Sequence, residues 1–325
     1  MKKNEPKYQH LVPRCYIKNF AEQHKKKIYR CGAMYWPQSD ERPAFEPQLK
    51  NVKDFCGINH FYTLNIDKSI NKMVIEDYYS KIESSYSPIY HKLVNPTVSR
   101  LTKREKYQLI KFIVSLKLRG LTYHNALNKL TEGMVDFAFE VFDRSNDPDK
   151  RNEVFDEKGE LLFNFEGKTK GEAIAEHYHF NRQLVNIKTI NHIRKVTTLL
   201  LDHAILISRT KDDFGYISSD NPVYLDGHGL YDHTSTWSLP INRYNLLKLL
   251  PRSKWETDNH TEILRHDSIG PTLLHNLHQI EGRFNWVFGY LNDLEIARKV
   301  DVNDEQSKKN ALAESFTNSF KGFRL

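Results

Sequence analysis

The 325-residue chain lacks most of the features that announce a function. It has three cysteines, Cys15, Cys31 and Cys56, and no two stand as Cys-x-x-Cys, which excludes a zinc ribbon or a thioredoxin-type motif by spacing. An odd, unpaired set fits a reducing compartment, where free thiols behave as small hydrophobes. Lys2 and Lys3 are followed by no apolar run, so the start does not read as a secretory signal. No window approaches 18 uninterrupted apolar residues, which argues against a membrane span. The expectation is a cytoplasmic protein without membrane association. No P-loop, Gly-x-Gly-x-x-Gly or Gly-x-Ser-x-Gly occurs. That removes the commonest loops for ATP, for nicotinamide cofactors and for serine hydrolysis. Internal repeats and low-complexity tracts are absent as well.

What is present is a large core and a basic surplus. The chain is 39% hydrophobic, with 17 tyrosines and 18 phenylalanines, so much of the interior is aromatic with polar tips. A net charge of +7 favours polyanionic partners, nucleic acid or nucleotides before membranes. Lys25-Lys26-Lys27 is the densest basic run near the start. An inert basic surface satisfies the same composition.

The elements alternate in type along the chain. Residues 28–36, rich in aromatics and closed by Pro37, read as a strand. Residues 51–57 read as a short helical turn. From Val74 an apolar stripe recurs at three- and four-residue steps through Leu93, a helix that Pro88 should kink. Thr102 and Glu105 form a capping-box signature. The apolar face behind it runs through Leu109, Phe112, Leu116, Tyr123 and Leu130 to Val141, with Gly120 and Gly133 as places to bend or break. Residues 143–180 read as a variable insertion with a small hairpin around Gly159. A helix follows from Leu184, then strands near 204–208, 216–219, 244–250 and 285–291, a helical stretch over 264–280 and a terminal helix over 303–318. The fold class expected is α+β, with a mixed or antiparallel sheet from the N- and C-terminal segments and a long central helical region. One large domain, 1–325, is expected, with an N-terminal α/β segment (1–66), a helical region (67–203) and a β-rich C-terminal segment (204–325).

The opening stretch Gln9-His10-Leu11-Val12-Pro13-Arg14-Cys15-Tyr16-Ile17-Lys18-Asn19-Phe20 is denser than an ordinary N-terminus. Pro13 suits the first position of a helical turn, with His10 before it and Arg14 within it. This stretch, with Ser219-Asp220-Asn221-Pro222-Val223, resembles the bacterial domain-of-unknown-function 4238 family, which opens on a Gln/His-His-x-Val-Pro-x-x-Tyr-Leu-x-x-Phe pattern. Phe61-Tyr62-Thr63, Glu76, Glu83, Arg119 and Asn276 look like its other landmarks, in the right order over most of the chain. Ile17 replaces the usual leucine. No assigned activity comes with the resemblance.

The landmarks single out Gln9, His10, Arg14, Glu76, Glu83, Arg119, Asp220 and Asn221. An imidazole moves protons near neutral pH, and a guanidinium grips phosphate through two N–H groups. Asp220 would orient His10 or hold a divalent cation, Asn221 would donate to an oxyanion, and Glu76 and Glu83 share one helix edge. Together they point to phosphodiester or nucleotide chemistry, in a nuclease-like toxin or phage-defence effector. His10 is the general acid–base in this reading, and Gln9, Arg14, Arg119 and Asn221 bind substrate. The bland account stands beside it, since Asp-Asn-Pro after a strand is also good turn chemistry. A second reading is a non-catalytic basic module that binds nucleic acid or a partner protein, or assembles with a second copy. A third takes Arg119 and His124 as the Arg-x4-His pair that resembles HEPN-type ribonucleases. On one unbroken helix those side chains point about 140° apart and need a bend at Gly120 to converge.

Overall fold

The computed structural model describes residues 7–43, 45–64, 71–144, 153–155, 158–159, 161–164, 167–252, 261–268 and 271–299. The class is α+β, and one strand from near the C-terminus ties its halves together. β14 (Trp286–Gly289) pairs antiparallel with β3 (Ile28–Tyr35) on one side and β9 (Ser218–Ser219) on the other. β3 also pairs with β2 (Glu22–Lys25) and β4 (Gln48–Asn51). A second sheet has the order β10 (Tyr224–Asp226), β11 (Thr236–Asn242), β12 (Asn245–Leu250), β8 (Ala204–Thr210) and β13 (Ile263–Ser268), antiparallel except for β8 with β13.

Four helices fill the middle: α2 (Val74–Val94), α3 (Lys103–Leu118), α4 (Leu121–Arg144) and α5 (Lys170–Leu199). α3 packs on α2 and α5, and α4 on α5. Thr102 and Glu105 make the reciprocal capping box expected for α3. The opening stretch sits inside this assembly. After β1 (Tyr8–His10), a four-residue helix α1 (Arg14–Ile17) and a 3-10 turn bury Tyr16, Ile17 and Phe20. The Tyr16 ring meets Phe20, Phe112 of α3 and Phe288 of β14, while its hydroxyl donates to the Pro240 carbonyl and shares a hydrogen bond with Ser218. One side chain thus joins the opening segment to the helices and to both sheets.

Several expectations shift. Residues 51–57 are not helical; Asn51 ends β4 and Gly57 begins β5 (Gly57–Asn59), which pairs antiparallel with β1. Gly57 is required there, because a Cβ would lie 2.6 Å from the Tyr8 ring and 2.8 Å from the Gln9 carbonyl. Pro88, expected to kink α2, lies inside the helix at an exposed position, with the buried Tyr86, Ile89 and Leu93 on both sides of it. The long face over 102–141 divides at Arg119–Gly120 into α3 and α4. The expected helical stretch over 264–280 is strand β13 and then helix α6 (Pro271–Gly282). Within 143–180, β6 (Glu153–Phe155) and β7 (Leu161–Asn164) form the expected hairpin, and α5 begins at Lys170. A last helix, α7, covers Leu291–Arg298. The terminal helix expected over 303–318 lies outside the described residues.

Candidate functional site

One guanidinium, that of Arg119, gathers several candidates: it bonds the Glu83 side chain and the His10 carbonyl and acts electrostatically on Glu76. Arg119 caps the C-terminus of α3 and is 2% exposed. Its Nη1 donates to Glu83 Oε1 at 2.7 Å, its Nη2 to the His10 backbone carbonyl, and its Nε to the Tyr62 hydroxyl at 3.3 Å. The guanidinium carbon lies 4.4 Å from the centroid of the Tyr79 ring and 5.5 Å from that of Tyr62. Burial alone would lower the Arg119 pKa, but Tyr62, Glu83 and Tyr79 outweigh it and hold the charge in place. A lone buried cation would cost several kcal/mol, so this arginine can sit here only with such partners (~3–5 kcal/mol lost when one is removed).

The local sequence explains the convergence. Glu76, Tyr79, Glu83 and Tyr86 recur along one face of α2, so two carboxylates flank a tyrosine that receives the guanidinium. Gln9 is fully buried; its Oε1 accepts the Tyr62 N–H at 2.6 Å and its Nε2 donates to Thr63 at 3.3 Å. Gln9 therefore fastens β1 to the Tyr62 segment and leaves the half-buried His10 ring beside it. Arg14, exposed on α1, is near enough to act on both His10 and Glu76.

Electrostatics separate the roles. Burial, then Arg14 and Arg119, push the His10 imidazole down to about 4, against a hydrogen bond to the Phe55 backbone. At neutral pH the ring is uncharged, so one ring nitrogen carries an N–H and the other is an acceptor. Burial raises the Glu76 carboxyl, and Glu83 and Asp77 add to that, while Arg119 and Arg14 oppose it. Glu76 Oε2 and His10 Nδ1 are both buried without a hydrogen-bond partner. Cys15 lies against the same cluster, yet burial and then Glu83 push its thiol up to about 12, which removes it as a nucleophile at neutral pH.

Asp220 and Asn221 are placed differently. Asp220 Oδ1 accepts from the Phe284 N–H at 2.7 Å, and Oδ2 from Asn285 at 2.7 Å and Trp286 at 3.1 Å. Burial pushes this carboxyl up to about 6, against those N–H groups. Both oxygens are occupied in shaping the entry to β14, and Asp220 is not among the groups acting on His10. Asn221 donates to the Gly282 carbonyl at 2.8 Å and accepts from Lys117 at 3.5 Å. Asn276 is also structural, bonded to the backbone of Ile217 and Gly215. His124 faces Phe61, with ring centroids 4.9 Å apart, and burial and then Arg182 lower it to about 4. It shares no hydrogen-bond partner with Arg119, although the helix does break at Gly120. Among the described residues no group of three or more His, Cys, Asp or Glu side chains is placed to hold a metal ion.

Tyr79 and Lys117 did not stand out in the sequence. Tyr79 was one more member of the α2 stripe, and its position midway between Glu76 and Glu83 was the available signal. Lys117, two residues before Arg119, looked like any helix-surface lysine.

Fold and cluster together define an α+β protein whose opening strand and two central helices converge on a buried arginine. The chain belongs to the family described as Protein of unknown function (DUF4238), whose model matches residues 8–303. No curated protein and no solved structure matches it. Among the described residues no helix is long and apolar enough to cross a membrane.

Proposed function

We propose that this chain is an enzyme that hydrolyses a phosphodiester or nucleotide at the Arg119 cluster. The observation that carries the reading is the pair of partnerless buried atoms, Glu76 Oε2 and His10 Nδ1, beside a guanidinium whose own contacts are made. Buried polar atoms are paired as a rule, and exceptions concentrate where a ligand, a water or a reaction completes them. Burial raises the Glu76 carboxyl, which makes it a stronger base than an exposed glutamate. A water oxygen attacks phosphorus as its proton passes to Glu76. The bond from phosphorus to the leaving oxygen breaks with its electron pair, and Glu76 returns the proton to that oxygen. The neutral His10 ring accepts a hydrogen bond from the attacking water. Arg14, exposed at the edge, holds the non-bridging oxygens as charge builds on them. Arg119 is a positioning residue that fixes Glu83 and the His10 backbone.

The test is product chromatography after incubating the purified chain with single-stranded RNA, single-stranded DNA and cyclic dinucleotides. One of these should be cleaved, and Glu76→Gln and His10→Ala should abolish cleavage while each variant still unfolds cooperatively, Glu76→Gln no lower than the parent. A folded parent that cleaves none of them, or active folded variants, would overturn the assignment.

A second reading, a nucleic-acid-binding module without chemistry, is favoured by a separate groove of about 280 Å³ between α2 and α3. Lys81, Arg104 and Lys111 line it with Tyr78 and Tyr107, and no carboxylate does. Cations interleaved with aromatic rings suit a phosphate backbone with stacked bases. In that case charge removal at Lys81 and Arg104 flattens the salt dependence of binding, and Glu76→Gln leaves binding unchanged.

A further inference from the structure

A cavity of about 380 Å³ lies between the last turn of α3, the first turn of α4, β10 and the end of α6. Its size falls within the range of small-ligand pockets, roughly 300–1,000 Å³. Lys117 of α3 is its one formally charged wall residue, and no carboxylate lines it. The Lys117 ammonium donates to the Val223 carbonyl at 2.9 Å and to Asn221 at 3.5 Å. With three donors and two acceptors, it keeps one N–H for a ligand. The other wall amides are committed: Asn221 to Gly282, and Gln279 to Pro222 and Ser219. Two further lining residues, Tyr224 and His278, stack on each other with ring centroids 3.9 Å apart and planes within 8°.

We propose that this cavity is a binding site, distinct from the Arg119 cluster, for a compact organic monoanion with a planar aromatic body and one carboxylate. A single ammonium matches a single negative charge, and the aromatic lining residues Tyr123, Tyr224 and His278 suit an aromatic body. A phosphate dianion would meet only that one cation, and the cavity also borders the C-terminal end of α6, where the helix dipole is negative. Burial lowers Lys117 to about 8 and lowers His278 as well, so at pH 7 the walls present one positive charge and a neutral imidazole. None of the hydrolytic residues takes part, so this site stands or falls separately from the proposed reaction.

Calorimetric titration of the full chain at pH 7 tests it with sodium benzoate, benzamide and inorganic phosphate as probes. Benzoate should saturate one site, with the neutral benzamide and phosphate at least about tenfold weaker, the scale of one charge-assisted hydrogen bond. Lys117→Met should weaken benzoate by a similar factor. Ala126→Trp, which plugs the mouth at an exposed position and keeps the lysine, should do the same and decides the matter if the lysine variant fails to fold. His10→Ala should bind benzoate as the parent does. The proposal is overturned if benzoate does not bind at millimolar concentration, if benzamide or phosphate equals it, or if benzoate affinity survives in a folded Lys117→Met or in Ala126→Trp.

Discussion

Replacing Glu76 by glutamine should make the protein more stable while removing the proposed hydrolysis. The carboxylate is half-buried, and its Oε2 has no hydrogen-bond partner. Leaving a buried polar group unsatisfied costs about 1–3 kcal/mol, and partial exposure places Glu76 at the low end. The expected gain at pH 8 is therefore about 1 kcal/mol, a rise in melting temperature of about 2 °C for a chain this long. The pH dependence gives the sharper test. Folding raises the Glu76 pKa from its ordinary value of 4.5, so the folded chain holds this proton more readily than the unfolded one. The contribution of Glu76 is then most favourable below about 4.5 and fades as pH rises through the folded value. Glutamine has no such titration, so the advantage of Glu76→Gln should grow between pH 4.5 and 8. Urea unfolding of both proteins across that range measures it. A variant less stable than the parent at pH 8, or an advantage that shrinks as pH rises, would show that the carboxylate is satisfied as an anion and would refute the reasoning.

Other perturbations separate structural from chemical roles. Arg119→Lys should cost about 3 kcal/mol or more in urea unfolding, because one ammonium cannot reach Glu83, the His10 carbonyl and Tyr62 together. Asp220→Ala strips three part-buried N–H groups of their acceptor and should cost about 3 kcal/mol, read as a lowered unfolding midpoint. His275 is buried and held down to about 3, so the unfolded chain takes up its proton near 6.5 while the folded chain stays neutral. Stability from this group is complete above about 6.5 and is lost as pH falls toward the folded value. Relative to the parent, His275→Gln should therefore gain stability from pH 7 to pH 4, as followed by thermal melting.

The opening stretch and the α2 edge were legible because each carries its own periodicity. Tyr16, Ile17 and Phe20 share a face, and Glu76 and Glu83 stand seven apart. Their meeting at Arg119 depends on a helix end that a continuous apolar face conceals. That face suggested one long helix, whereas Gly120, whose Cβ would lie 3.6 Å from the Asp220 carbonyl, marks where the chain turns. The pairing of Asp220 with His10 rests on the two landmark motifs that carry them. Its true partners, the N–H groups of 284–286, are backbone donors that no residue type betrays. The stretch Ile263–Ser268 is a strand because β8 supplies a parallel neighbour, a tertiary decision that local propensity does not contain. Lys117 carries no sequence signal, because solvent-facing and cavity-facing lysines have the same local sequence signature.

The central claim is that His10, Arg14 and Glu76 act together on a phosphodiester, and release of 4-nitrophenolate from bis(4-nitrophenyl) phosphate tests it most directly. The full chain should release it steadily, Arg14→Met should lower kcat, and Glu76→Gln should lose kcat while melting no lower than the parent. Release that persists in the folded Glu76→Gln protein, or none from the folded parent, would contradict the claim.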